Sequence, residues 1–156
     1  MGTRRRELFA DWLIVVGGLG LLISLFVTWS HQFSTTFLAQ FGTAPQLQGI
    51  PHDPTAWQVY SIADVLLAVL AVGLVGVALL GGRGVRMVAL VAGAIALAFV
   101  LHALSAPPTN GANVFDPSLS VPSYFPNSPG AGPGETVAIA SLGVALVGLA
   151  LSFTTE

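Results

Sequence analysis

Residues 57–104 read WQVYSIADVLLAVLAVGLVGVALLGGRGVRMVALVAGAIALAFVLHAL, which is two long apolar runs separated by a short glycine-rich link. Each run, Trp57–Leu80 and Val85–Leu104, is long enough to cross a hydrocarbon core of roughly 30 Å, because a helix rises ~1.5 Å per residue. The link, residues 81–84, is typical of a tight turn between antiparallel helices. This stretch therefore predicts a transmembrane helical hairpin.

Two further apolar runs, Leu8–Ser30 and Glu135–Phe153, lie on either side of the hairpin. The first run is too long for the apolar region of a signal peptide, and no small-x-small cleavage site follows it. Transmembrane strands would be about ten residues long with strict alternation, which these runs lack. We therefore predict an all-α membrane protein, a four-transmembrane-helix bundle that forms a single membrane domain over residues 1–156.

The overall composition agrees with a membrane protein. Of the residues, 54% are hydrophobic and only 8% are charged, and the mean hydropathy is +0.82. Five basic residues cannot form a phosphate-neutralising face, which argues against nucleic acid as a partner. The chain has no cysteine and therefore no disulfide, thiolate metal site or cysteine nucleophile.

The distribution of positive charge predicts how the bundle is oriented. All five basic residues are arginines, and both long loops, 31–56 and 105–134, lack them and contain all ten prolines. The positive-inside rule places both termini and the hairpin turn in the cytoplasm, and both proline-rich loops outside the plasma (inner) membrane. The arginines are also expected to contact anionic lipid headgroups. They are Arg4, Arg5, Arg6, Arg83 and Arg86.

The two outer loops carry apolar side chains and are therefore expected to pack rather than to act as simple linkers. Aromatic residues at such positions are typical of surfaces that bind another protein. We select Phe115, Tyr124 and Phe125 as candidate docking residues for other membrane protein subunits.

Asp64 is the one carboxylate well inside a predicted span, where an ionised side chain is costly unless it is paired or hydrated. Asp64 lies 19 residues before Arg83, and His102 lies 19 residues after it, so an antiparallel hairpin places both at a similar depth. They are therefore candidates for an intramembrane polar pair. The alternatives are a structural hydrogen bond of Asp64 to a nearby group, or a proton or cation relay.

Other polar groups give weaker signals. Histidines and carboxylates on the outer side could ligate a metal, but none shows a recognisable ligand spacing, and we predict no metal site and no cofactor. Asp11 is expected to form an interfacial ion pair with the cluster Arg4–Arg6. No nucleophile, zinc-protease or phosphate-loop motif occurs, so we predict that the protein is not an enzyme.

The segment Ala56–Ala68, AWQVYSIADVLLA, resembles the start of the second helix in uncharacterised small four-helix integral membrane proteins of actinobacteria. In those proteins an Ala-Trp pair, an aromatic-Ser pair and an Asp precede a Leu/Ala-rich helix. The resemblance implies no activity, but it draws attention to Trp57, Ser61 and Asp64. Their spacing of four and three places them on one face of a continuous helix.

Two classes of function follow from these features. The first is a non-enzymatic accessory or scaffold subunit that docks onto a larger membrane complex through its helices and outer loops. The second is a small homo-oligomeric transporter or channel that uses Asp64 and His102 as a proton or cation site. A third, weaker alternative is lipid or quinone binding in a groove between helices.

Overall fold

The computed structural model describes residues 3–31, 33, 35–43, 53, 55–59, 61–105 and 130–154, and this part of the chain is mostly helical. Two short strands pair in antiparallel register, Ser30 with Ala131 and His31 with Gly130. The elements in chain order are α1 (Thr3–Ser24), β1 (Ser30–His31), α2 (Thr35–Phe41), α3 (Ala56–Val59), α4 (Ser61–Leu80), α5 (Arg83–Ser105), β2 (Gly130–Ala131) and α6 (Pro133–Phe153).

Four of these helices are long and apolar enough to cross a membrane. They are α1, α4, α5 and α6, with candidate spans Arg4–Ser24, Ile62–Leu80, Arg83–Ser105 and Pro133–Phe153. The prediction of a helical membrane protein with four apolar helices is thereby confirmed at the level of helix length and composition.

Within the described helices, α1 is the central packing element. It packs most extensively on α6 and also on α4, whereas α5 packs mainly on α6. The spatial order is therefore α4, α1, α6, α5, and direct contact between α4 and α5 is sparse. Glycines permit the close approach of α1 and α6: a Cβ added at Gly17 would lie 2.6 Å from Ala145 Cβ, and one at Gly148 would lie 2.7 Å from the Ala10 carbonyl oxygen.

The first helix ends six residues earlier than the predicted span Leu8–Ser30, because the chain folds back at Trp29. The Trp29 indole N–H donates a hydrogen bond to the Ser24 carbonyl oxygen over 2.8 Å. Beyond the end of α1, Thr28 forms a bridge with Thr55, and β1 pairs with β2. The N–H groups of residues 25–27 still donate to carbonyl oxygens of the last turn of α1, whereas the backbone of residues 28–31 pairs with Thr55 and with residues 130–134.

We call the end of the bundle that contains β1, β2 and α3 the loop end, and the end that contains the α4–α5 connection the hairpin end. That connection is very short, since α4 ends at Leu80 and α5 begins at Arg83. Of the predicted second span, Trp57–Leu80, the structure describes residues 57–59 in α3 and residues 61–80 in α4.

Candidate functional site

A buried tryptophan organises the loop end. Trp29 is completely buried and is held by its hydrogen bond to Ser24, whose own hydroxyl donates to the Leu21 carbonyl oxygen over 2.6 Å. Gly134 lies directly against the Trp29 indole ring, so that a Cβ at position 134 would overlap it. Only glycine leaves room for the ring at this point.

Backbone hydrogen bonds fix the start of α6 on the same segment. The Gly132 N–H donates to the Trp29 carbonyl oxygen and the Gly134 N–H donates to the Thr28 carbonyl oxygen, each over 2.7 Å. Pro133, at the start of the helix, has no N–H to satisfy, which suits the first turn. The position of the next residue, Glu135, is therefore set by the segment that follows α1 as well as by α6.

Two carboxylic side chains, Asp64 and Glu135, are completely buried near this end. Each lies in the first turn of its helix, α4 and α6 respectively, where the positive end of the helix dipole favours negative charge. Within the described residues, neither carboxyl oxygen of Glu135 has a hydrogen-bond partner. Burying a carboxyl group inside a membrane span is costly, and these two residues are therefore the most informative polar feature of the described bundle.

Close contacts with α1 and with the segment that follows it place both carboxylic residues at a similar depth. Gly18 approaches the Ala71 carbonyl oxygen of the antiparallel α4, and Asp64 lies seven residues before Ala71. Asp64 is therefore level with the residue seven positions after Gly18, which is Leu25. Gly134 contacts Thr28 and Trp29, so the adjoining Glu135 lies at nearly the same level. Because α1 packs between α4 and α6, the two carboxylic residues flank the end of α1.

The other predicted site residues occupy different surroundings. His102 is exposed on α5, and its carbonyl oxygen accepts a hydrogen bond from the Ser105 hydroxyl over 2.8 Å. Trp57 lies on α3, is 39% exposed and pairs with Phe26 at a ring-centroid distance of 6.0 Å. Ser61 is the first residue of α4. Position 60, between α3 and α4, lies outside the described residues. The shared face of Trp57, Ser61 and Asp64 and the pairing of Asp64 with His102 therefore stay predictions.

The loop residues Phe115, Tyr124 and Phe125, selected for partner docking, lie outside the described residues. At the loop end, His31 Nδ1 lies 2.7 Å from Asp53 Oδ1 in an exposed pair. Across the part of the chain that is described, no group of three or more His, Cys, Asp or Glu side chains is arranged to hold a metal ion.

The hairpin end contains a partly buried ion pair. Arg86 Nη2 donates to Asp11 Oδ1 over 2.8 Å, and Arg86 Nε donates to the Gly81 carbonyl oxygen over 3.2 Å. Asp11 thus pairs with the arginine of the hairpin, whereas the sequence suggested the cluster Arg4–Arg6, which is exposed. The pair borders a cavity of about 230 Å³ that Glu7 and Arg83 also line.

Two apolar grooves lie between membrane-spanning helices. The α1–α4 groove, of about 370 Å³, is lined by residues that include Gly18, Leu22, Val72 and Gly76. The α4–α5 groove, of about 700 Å³, lies between residues 62–70 and 92–99.

Comparisons with known proteins give no further assignment: no protein-family model matches the chain, and neither the curated proteins nor the solved structures contain a significant match. The resemblance to actinobacterial membrane proteins therefore stays a prediction. Glu135 is the site residue that sequence reasoning missed, because it marked only the expected start of a helix. Its signal was the sequence Gly132-Pro133-Gly134, which indicates a tightly packed helix start.

Proposed function

We propose that this protein is a non-enzymatic accessory or scaffold subunit of a larger membrane complex, and that a transmembrane helix of a partner docks in the α1–α4 groove. The observation that carries the proposal is Gly76, a glycine on the surface of a spanning helix. A Cβ added at Gly76 would have no atom within 4 Å, and the same holds for Gly73, one turn away.

The glycines of α1 show what such residues do elsewhere in this bundle. Gly17, Gly18 and Gly20 each lie against a neighbouring helix so closely that a Cβ would not fit. Gly76 lies within a helix, where glycine costs roughly 0.5–1 kcal/mol relative to alanine, without any such contact inside the chain. Close approach of a second helix backbone would explain that cost, because small residues mediate helix association in membranes.

The proposed orientation places the hairpin end in the cytoplasm, at the plasma membrane. Arg83 and Arg86 lie at that end, together with the exposed cluster Arg4–Arg6. Exposed aromatic side chains lie near both ends: Trp12 is 66% exposed towards the hairpin end, and Trp57 is 39% exposed at the loop end. Such positions suit the aromatic belts of a bilayer. The outer loops would then meet partner subunits on the external side.

The docking proposal is tested by measuring the mass of the native complex after purification in mild detergent. We expect a stoichiometric complex with a larger subunit, and we expect Gly76→Leu to release that subunit, since the leucine side chain fills the groove. The matched control is Gly143→Leu on α6, because a Cβ at Gly143 also meets nothing within 4 Å. An unchanged complex in Gly76→Leu, or a homo-oligomer without a partner, would overturn the docking proposal.

A second candidate function is supported by the complete burial of Asp64 in a membrane-spanning helix. In this alternative the chain forms a homo-oligomeric transporter or channel. Asp64 acts as the proton or cation site, together with His102 at a similar depth in the membrane. Intramembrane carboxyl groups commonly mark such pathways.

This alternative predicts that Asp64→Asn abolishes proton or cation flux in reconstituted vesicles, because the amide keeps the shape of the side chain without its charge. Asp53→Asn is the matched control, since Asp53 is exposed at the loop end. Flux that is equal in the wild type and in Asp64→Asn would eliminate a transport role for this residue.

A further inference from the structure

The buried carboxyl group of Glu135 is used by neither of the two proposed functions. Glu135 is completely buried, and within the described residues neither of its carboxyl oxygens has a hydrogen-bond partner. An ionisable side chain inside a membrane-spanning segment is rare and is usually paired. The charge of this carboxyl group therefore depends on the hydrogen-bond donors and cations that the surrounding elements offer.

The backbone donor that usually satisfies a glutamate at this position is already used. The residue that caps the start of α6 is Gly132, so Glu135 is the third residue of the helix. A glutamate carboxylate at that position commonly accepts the N–H of the capping residue. The Gly132 N–H, however, donates to the Trp29 carbonyl oxygen over 2.7 Å. Pro133 has no N–H, and the Gly134 N–H donates to the carbonyl oxygen of the residue before Trp29.

The arginines of the chain are too distant to balance a negative charge on Glu135. The helix α6 itself contains no basic residue. Its Ser152 borders the hairpin-end cavity together with Arg83 and Arg86. Glu135 lies 17 residues before Ser152, roughly 26 Å along a helix that rises ~1.5 Å per residue. The charged residues of α1, which packs on α6, are confined to positions 4–11 at the same far end.

The titratable side chains described at the loop end form no bond with Glu135. On α5, which also packs on α6, His102 is exposed. On β1, His31 is bonded to Asp53 in an exposed pair. The third is Asp64 on α4, which is a carboxyl group like Glu135. None of them is a hydrogen-bond partner of the Glu135 carboxyl oxygens.

These surroundings select a proton rather than a metal ion as the ligand. A metal cation needs several oxygen or nitrogen ligands, and the described residues hold no group of three or more His, Cys, Asp or Glu side chains that could bind one. A proton needs a single carboxyl oxygen. The dipole of α6 favours negative charge at its first turn, but this effect is smaller than the cost of removing a carboxylate from water.

We propose that Glu135 is a proton-binding site at the loop end: the folded bundle holds its carboxyl group in the neutral form, and the unfolded chain releases the proton. A neutral carboxyl group is buried at far lower cost than a carboxylate without a partner. The site uses neither Gly76 nor Asp64, so it is independent of the docking function and of the transport alternative.

The first test is infrared spectroscopy of the folded protein in lipid vesicles at neutral pH. The chain has three glutamates, so Glu135 is the only one left when Glu7→Gln is combined with Glu156→Gln. Glutamate that is isotopically labelled at its side-chain carboxyl carbon then shifts only the bands of Glu135. We expect the label to shift the carbonyl stretch of a protonated carboxyl group, with or without added sodium or potassium chloride. A shift of carboxylate bands alone, or loss of the protonated band on adding either salt at constant pH, would overturn the proposal.

The second test is the pH dependence of the equilibrium constant for unfolding in micelles. Above about pH 5 an exposed glutamate is ionised, so the unfolded chain binds one proton fewer than the folded bundle and stability falls as the pH rises. We expect the equilibrium constant for unfolding to rise about tenfold more per pH unit in the wild type than in Glu135→Gln, whose amide stays neutral. The contributions of the other titratable groups are common to both proteins.

Glu7→Gln is the matched control, because Glu7 is exposed and is expected to leave the pH dependence of the wild type unchanged. Equal pH dependence in the wild type and Glu135→Gln would contradict the proposal. The infrared measurement decides the question alone if Glu135→Gln does not fold, since it keeps Glu135 in place.

Discussion

At the scale of single residues, the contact between Gly134 and Trp29 determines how the loop end is built. The Trp29 ring is completely buried, and the start of α6 can pass beside it because position 134 has no side chain. The hydrogen bond from the Gly134 N–H to the Thr28 carbonyl oxygen leaves little freedom for the backbone to move away. The steric contact with Trp29 and the hydrogen bond to Thr28 therefore both constrain Gly134, and Glu135 follows Gly134 directly.

We expect Gly134→Ala to lower the free energy of unfolding by about 1–3 kcal/mol, the usual cost of inserting a methyl group into a well-packed core. The added Cβ would overlap the Trp29 ring and would lie 2.8 Å from the Thr28 carbonyl oxygen. The measurement is denaturant unfolding in micelles, followed by tryptophan fluorescence. Gly84→Ala is the control, since a Cβ at Gly84 meets nothing within 4 Å. Equal losses in the two variants would contradict this account.

At the scale of helices, the ion pair Arg86–Asp11 joins the start of α5 to the first half of α1. The two side chains are 19% and 29% exposed, so the pair is only partly screened by water. In the packing order of the bundle, α4 and α6 are the main neighbours of α1, and this ion pair adds a link between α1 and α5. The same arginine also binds the Gly81 carbonyl oxygen at the end of α4.

We expect a double-mutant cycle of Asp11→Asn and Arg86→Gln to give a coupling energy of about 0.5–3 kcal/mol. The reason is that the changes in the free energy of unfolding caused by two mutations do not add when the two residues are hydrogen-bonded to each other. The measurement is the free energy of unfolding of the wild type, both single variants and the double variant. Pairing Asp11→Asn with Arg5→Gln provides the control cycle, because Arg5 is exposed. A coupling energy near zero for Asp11 and Arg86 would contradict a stabilising role.

At the scale of the whole molecule, the proposed orientation makes the two ends of the bundle chemically distinguishable. The chain contains no cysteine, so a single introduced thiol reports the location of one position without interference. Thr43 in the first loop and Gly84 at the hairpin end are both exposed.

We expect a membrane-impermeant thiol reagent to label Thr43→Cys in intact cells and to label Gly84→Cys only after the cells are permeabilised. The physical reason is the positive-inside rule, since Arg83 and Arg86 flank the hairpin position. Labelling is measured by the mass shift of the purified protein. The opposite pattern would reverse the proposed topology and place the arginines outside.

The sequence by itself determined the number and composition of the spanning helices, because helix length and hydropathy are local properties of the chain. It also identified Asp64 as a carboxyl group inside a span. The order α4, α1, α6, α5, the partner of Asp11 and the two grooves required the tertiary structure. These features depend on which helix faces meet, and nearly uniform apolar helices lack the polar and apolar faces that would reveal their neighbours. The end of α1 at Ser24 and the burial of Glu135 were likewise decided by Trp29 and Gly134, which are distant in sequence and meet only in the folded bundle.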